Sequence, residues 1–87
     1  MTLPQTPPVA DTVLAIVRDV SRRPVEPTLA SDLVSDLAFD SLQVMETIAE
    51  LEDRFEISIP ADDVPAARTV AQVVARVEAL IDARRPS

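Results

Sequence analysis

Asp40-Ser41-Leu42-Gln43-Val44-Met45-Glu46-Thr47-Ile48-Ala49-Glu50-Leu51-Glu52-Asp53-Arg54-Phe55 is the stretch from which the rest of the chain is read. It opens as a helix should. Asp40 is a good N-cap residue, and Gln43 follows at capping-box spacing. Val44, Ile48, Leu51 and Phe55 then recur at +4, +3 and +4. That is one stripe of a helix, and it is expected to face a core. Leu42, Met45 and Ala49 fall on the neighbouring face. Glu46, Glu50, Glu52, Asp53 and Glu56 fill the remainder, with Arg54 the only cation among them.

Upstream, Val9, Val13, Ile16, Val17 and Val20 repeat at helical spacing. Ser21-Arg22-Arg23-Pro24 ends that helix, because Pro24 lacks a donor and pushes Arg23 out of the α region. Residues 24–39 carry Pro24, Pro27 and scattered apolar positions that fit no single period. They read as a long loop pinned to the core by Leu33 and Leu37, and a loop of that length is more often functional. Downstream, Glu56 to Pro60 leaves the helix extended, and Ala61 to Ala66 allows one or two turns interrupted by Pro65. Thr69 and Gln72 repeat the capping-box spacing. Val70, Val73, Val74, Val77, Leu80 and Ile81 then form a full stripe ending near Arg84-Arg85-Pro86. Residues 1–8, with three prolines, read as a flexible N-terminal tail, and 9–85 as one domain.

The expected fold is therefore all-α: a four-helix bundle of three main helices and one short one, with a long loop after the first.

Composition narrows the chemistry. The 87 residues contain no Gly, Cys, His, Lys, Trp, Tyr or Asn, and the net charge is -7. Without Cys and His there is no disulfide, no usual zinc ligand and no imidazole base, so no metal site is expected. Asp62-Asp63 are more simply first-turn acids than a weak cation site. Without Gly the usual phosphate-binding loops are absent. The negative charge opposes nucleic acid and anionic membrane surfaces and favours docking onto basic protein patches. No apolar run approaches the ~20 residues of a membrane span, and no signal peptide is visible at Met1, so the default location is the cytoplasm.

One segment stands out: Leu37-Ala38-Phe39-Asp40-Ser41-Leu42, a serine at the mouth of a helix after a long loop. Taken alone, Asp40-Ser41 is an ordinary capping pair. The segment resembles the attachment motif L-G-x-D-S-L of the acyl carrier protein family. The resemblance runs on through Glu46, Leu51-Glu52, Phe55, Ile59-Pro60 and Thr69-Val70, covering about residues 9 to 83. Two positions depart from it. Ala38 stands for the motif's Gly, which leaves the local loop shape open. Gln43 stands where many relatives carry an acid, which suggests one charge fewer on a docking face.

The resemblance implies a non-catalytic monomeric carrier. A phosphopantetheinyl transferase would attach 4′-phosphopantetheine to Ser41, and the arm's thiol would hold acyl groups as thioesters for fatty-acid or polyketide-type synthesis. Asp40 would then be a Mg²⁺ contact during transfer, or simply the cap. Glu46, Glu50, Glu52 and Asp53 would meet basic patches on the transferase and on acyl-transferring and condensing enzymes, and Leu42, Met45 and Ala49 would contact the same partners. For the acids the plain alternative is a solvated helix face; for Leu42, Met45 and Ala49 it is the bundle lining. Val44, Ile48, Ile59, Val64 and Val73 would line a shelter for the acyl chain. The alternatives are an aminoacyl or peptidyl carrier and, in another class, a small acidic adaptor or nucleic-acid mimic that would need no Ser41.

Overall fold

Val13, Ile16 and Val17 lie one helical turn apart and are all buried, which fixes the inner face of the first helix. The computed structural model describes residues 9–60 and 67–84. They form three helices: α1 (Val9–Val20), α2 (Ser41–Phe55) and α3 (Val70–Arg84). The described residues make an all-α fold with no strand, only one isolated bridge between Asp32 and Thr69. The expected tail, the short helix over 61–66 with Asp62, Asp63 and Val64, and residues 85–87 lie outside the described residues.

α1 packs against both α2 and α3. α3 contributes Val70, Val73, Val74 and Val77 to the core. On α2 the inward line differs from the apolar stripe. The buried residues are Gln43, Thr47 and Leu51, while Val44, Ile48 and Phe55 flank them half-buried. The inward line is thus offset from the apolar stripe and carries two polar side chains, both satisfied. Thr47 Oγ1 donates to Gln43 O at 2.8 Å, so its burial leaves nothing unpaired.

The connection from α1 to α2 is an ordered structure. Leu33, Leu37 and Phe39 are buried, which anchors it. Its backbone is stitched to the start of α3. Leu33 N donates to Arg68 O at 2.9 Å, Val70 N to Ser31 O at 3.0 Å, and Ala71 N to Leu29 O at 2.9 Å. The last two satisfy first-turn N–H groups of α3 that have no partner inside the helix. Thr69 and Gln72 cap the same end reciprocally, Gln72 N to Thr69 Oγ1 at 3.2 Å and Thr69 N to Gln72 Oε1 at 3.0 Å. Asp32 holds the loop's own turn: its Oδ1 accepts from Ser35 N at 2.8 Å and from Val34 N at 2.9 Å. The hydrogen bond from Ser35, with help from Val34 and the Arg68 guanidinium and against partial burial, keeps the Asp32 carboxyl below its ordinary value.

At the far end α2 stops at Glu56, which is left-handed with φ 54°. Arg84, in the last turn of α3, donates from Nη1 to Phe55 O at 2.9 Å and also to Glu56 O. A cation there meets the carbonyls that α2 leaves without partners.

Candidate functional site

The site is built on the capping box at the start of α2. Asp40 is extended (φ -91°, ψ 179°), and its Oδ1 accepts from Gln43 N at 2.8 Å. Gln43 Oε1 returns the bond by accepting from Asp40 N at 3.2 Å. Ser41 is the first helical residue; it is exposed, and its hydroxyl makes no hydrogen bond among the described residues. The serine is therefore presented to solvent at a helix end where backbone N–H groups favour a phosphate.

Phe39 packs into the core just before Asp40, and its N–H donates to Leu33 O at 2.9 Å. Ala38 makes the turn between these anchors with φ 58°. This decides the loop shape that the sequence left open: the backbone is left-handed at the position where the motif has Gly, and Ala is retained under strain. Ala38→Gly removes that strain, offset in part by the greater freedom of Gly in the unfolded chain. It is expected to stabilise the fold by about 0.5–1 kcal/mol in urea titration; a loss of stability would contradict the strain.

Gln43 requires a correction. It is no vacancy on a charged surface: only 5% exposed, it donates from Nε2 to Val20 O at 3.4 Å. An acid there could complete the capping box but could not give that last bond. The side chain can be buried because both its polar atoms are used, Oε1 by Asp40 N and Nε2 by Val20 O, and that second partner, 23 residues away, gives no local sequence signal. A second feature the sequence reading missed is Arg22, whose Nη1 lies 3.9 Å from Asp40 Oδ2. Asp40 is thus the cap, with its other oxygen facing a cation.

The remaining α2 positions sort by exposure. Leu42 and Met45 are 58% and 66% exposed, high for large apolar side chains, and Ala49, Glu46, Glu50 and Asp53 are also exposed. Glu52 differs: it is half-buried, and its Oε2 accepts from Ile59 N at 2.8 Å, so this carboxylate fastens the chain after α2. Behind this surface, Val44, Ile48, Ile59 and Val73 line an interior space with Leu33, Thr47, Leu51 and Val77. Of the expected lining, Val64 falls outside the described residues. The space measures about 30 Å³, enough for one or two waters.

The phosphopantetheine attachment site family matches residues 11–77. This chain belongs to the acyl carrier protein family. An acyl carrier protein from Exiguobacterium sibiricum is 39% identical over 70 residues, 80% of this chain and 89% of that one. An acyl carrier protein from Amoebophilus asiaticus is 43% identical over 63 residues, 72% of this chain and 79% of that one. Among solved structures, an acyl carrier protein from Mycobacterium tuberculosis superposes with a TM-score of 0.76 at 34% identity, covering 82% of this chain and 96% of that one. Acyl carrier proteins hold acyl intermediates of fatty-acid or polyketide-type synthesis on covalent 4′-phosphopantetheine, are served by a phosphopantetheinyl transferase and acyl-handling enzymes, and catalyse nothing themselves. The fold fits that group: α2 offers an exposed, unengaged hydroxyl beside phosphate-favouring N–H groups. Among the described residues no helix is long and apolar enough to cross a membrane, and no acidic cluster could hold a metal ion.

Proposed function

We propose that Ser41 is the attachment residue of this acyl carrier protein. The observation that carries the reading is its exposed, unbonded hydroxyl at the first position of α2. Ser21 and Ser31, by contrast, have their hydroxyls tied into turns. Ser41 Oγ attacks the pantetheine-side phosphorus of coenzyme A's pyrophosphate, a phosphodiester forms, and the P–O–P link breaks so that adenosine 3′,5′-bisphosphate leaves. The chain has no His or Lys, and Asp40 is engaged as the cap, so the transferase supplies the base that takes the serine proton. Asp40 keeps one oxygen free of the cap, which also suits a Mg²⁺ contact during transfer. The thiol at the end of the arm has no cysteine in the chain to compete with it.

The reading extends to the surface around Ser41. Leu42, Met45 and Ala49 form an apolar strip, edged by Glu46, Glu50 and Asp53, that suits a partner with an apolar patch inside a basic rim. Glu52 contributes less, being held by Ile59. The carrier works as a monomeric domain of residues 9–85 in the cytoplasm, and its charge of -7 opposes polyphosphate and anionic lipid partners alike.

The test is direct. Apo protein is incubated with coenzyme A, Mg²⁺ and a broad-specificity transferase, weighed intact, and digested to place the added mass. One arm on the peptide holding Ser41 supports the reading, and an arm placed elsewhere overturns it. Glu46→Lys and Glu50→Lys are each expected to raise KM for the transferase about 3- to 30-fold, consistent with the loss of one or two rim contacts, and to flatten its salt dependence. KM values equal to wild type would dismiss the acidic docking face.

A further inference from the structure

We propose that Arg22 is the counter-ion of the arm's phosphodiester and that Gln43 holds its segment beside the start of α2; this rests on Ser41 being the attachment residue. The problem it solves is electrostatic. A phosphodiester on Ser41 is an anion placed on the neighbour of Asp40, itself an anion. Asp40 cannot turn away, because its Oδ1 is bound to Gln43 N at 2.8 Å. A cation close to both would relieve that repulsion.

Arg22 is placed to do so. Its Nη1 lies 3.9 Å from Asp40 Oδ2, too long for a direct hydrogen bond, and its side chain is 65% exposed. It can swing toward the adjacent residue, and a guanidinium offers several donors that match phosphate oxygens in pairs. Arg68 pairs instead with Asp32, and Arg84 with the carbonyls ending α2.

The backbone under Arg22 is also fixed. Ser21 N donates to Val17 O at 3.0 Å, and Ser21 Oγ accepts from Arg23 N at 3.2 Å, which closes a turn around Arg22. Gln43 Nε2 then donates to Val20 O, tying that turn to the first turn of α2. An acid at position 43 would keep the cap and lose this tie. Gln43 is thus a positioning residue: its amide joins the serine's helix to the segment that bears the cation.

Apo and holo forms of the wild type, Arg22→Gln, Arg22→Lys and Gln43→Glu are prepared, with loading placed by mass. Two readouts follow: the difference in Tm between holo and apo at low salt, and the ³¹P resonance of the arm. In Arg22→Gln the holo-minus-apo difference is expected to fall by roughly 2–5 °C relative to wild type, as for one exposed ion pair in a domain this small. The fall should disappear at about 0.5 M salt. Arg22→Lys should retain part of the effect, since it keeps the charge but not the paired donors. Gln43→Glu should show a fall in the same direction, and the ³¹P resonance should move in it and in Arg22→Gln. Arg22→Gln is a surface change, and the holo-minus-apo comparison removes any effect it has on folding itself. A holo-minus-apo difference equal to wild type, with an unmoved ³¹P resonance on an arm placed at Ser41, overturns the counter-ion and leaves the attachment intact. An arm placed on another residue overturns both.

Discussion

Ser41→Ala is expected to take up no phosphopantetheine at any transferase concentration while keeping the wild-type fold. The two halves of that result have separate causes. Loading is lost because the attacking oxygen is gone. The fold survives because Ser41 is exposed and its hydroxyl bonds to nothing among the described residues, so its removal breaks no contact. At an exposed first-turn position the change in stability stays within about 0.5 kcal/mol. Asp40→Ala is the informative companion. It deletes the cap and costs about 1 kcal/mol. If Asp40 were only a cap, loading would continue near the wild-type rate under conditions where the variant is folded; a further fall in kcat would assign it a part in transfer. Intact mass and circular dichroism read the two halves independently. An arm on Ser41→Ala would end the attachment proposal.

Leu51→Ala is expected to be the most damaging single core change, about 3–5 kcal/mol by urea titration. Leu51 is 1% exposed and sits where α2 meets the core, beside the interior space already present. Deleting its branched end enlarges that space, and helices held from both sides close over it poorly. Total stability for a domain of this size is about 4–13 kcal/mol, so such a loss is a large share of the whole. Phe55→Ala should cost less, because Phe55 is only half-buried against the cluster. A Leu51→Ala loss under about 1 kcal/mol would mean that α2 does not use this face.

The two kinds of residue were legible to different degrees, and the reason is physical. The capping box at Asp40 and Gln43 is local, so spacing alone revealed it. Leu33 and Leu37 stood out as apolar residues in a polar loop, and both are buried. The family motif located Ser41 directly. Gln43 and Thr47 were not legible as core, because polarity normally signals surface. Thr47 hides by bonding to a carbonyl of its own helix, a common habit of helical threonine. Gln43 hides through Val20 O, a partner distant in sequence. Arg22 was legible only as a helix end. Its place beside Asp40 depends on how α1 and α2 pack, which no local period encodes. Ala38 was visible as a departure from the motif, but its left-handed φ is set by the anchors at Leu37 and Phe39 on either side.

The backbone stitches between residues 29–33 and 68–71 impose an order of events on the growing chain. Domains emerge from the ribosome N-terminus first. The segment leading to Ser41 is therefore made early, yet three of its backbone hydrogen bonds, at Leu29, Ser31 and Leu33, are to residues 68–71 at the entry to α3. A nascent chain ending before α3 has α1 and α2 available to pair, but its serine hangs on an unfastened loop. The turn at Ala38 keeps its own local bonds, Ala38 N to Val34 O and Phe39 N to Leu33 O, but the loop that carries it is not yet fastened to the residues before α3. The serine's entrance is completed from the C-terminal side, by residues 68–71.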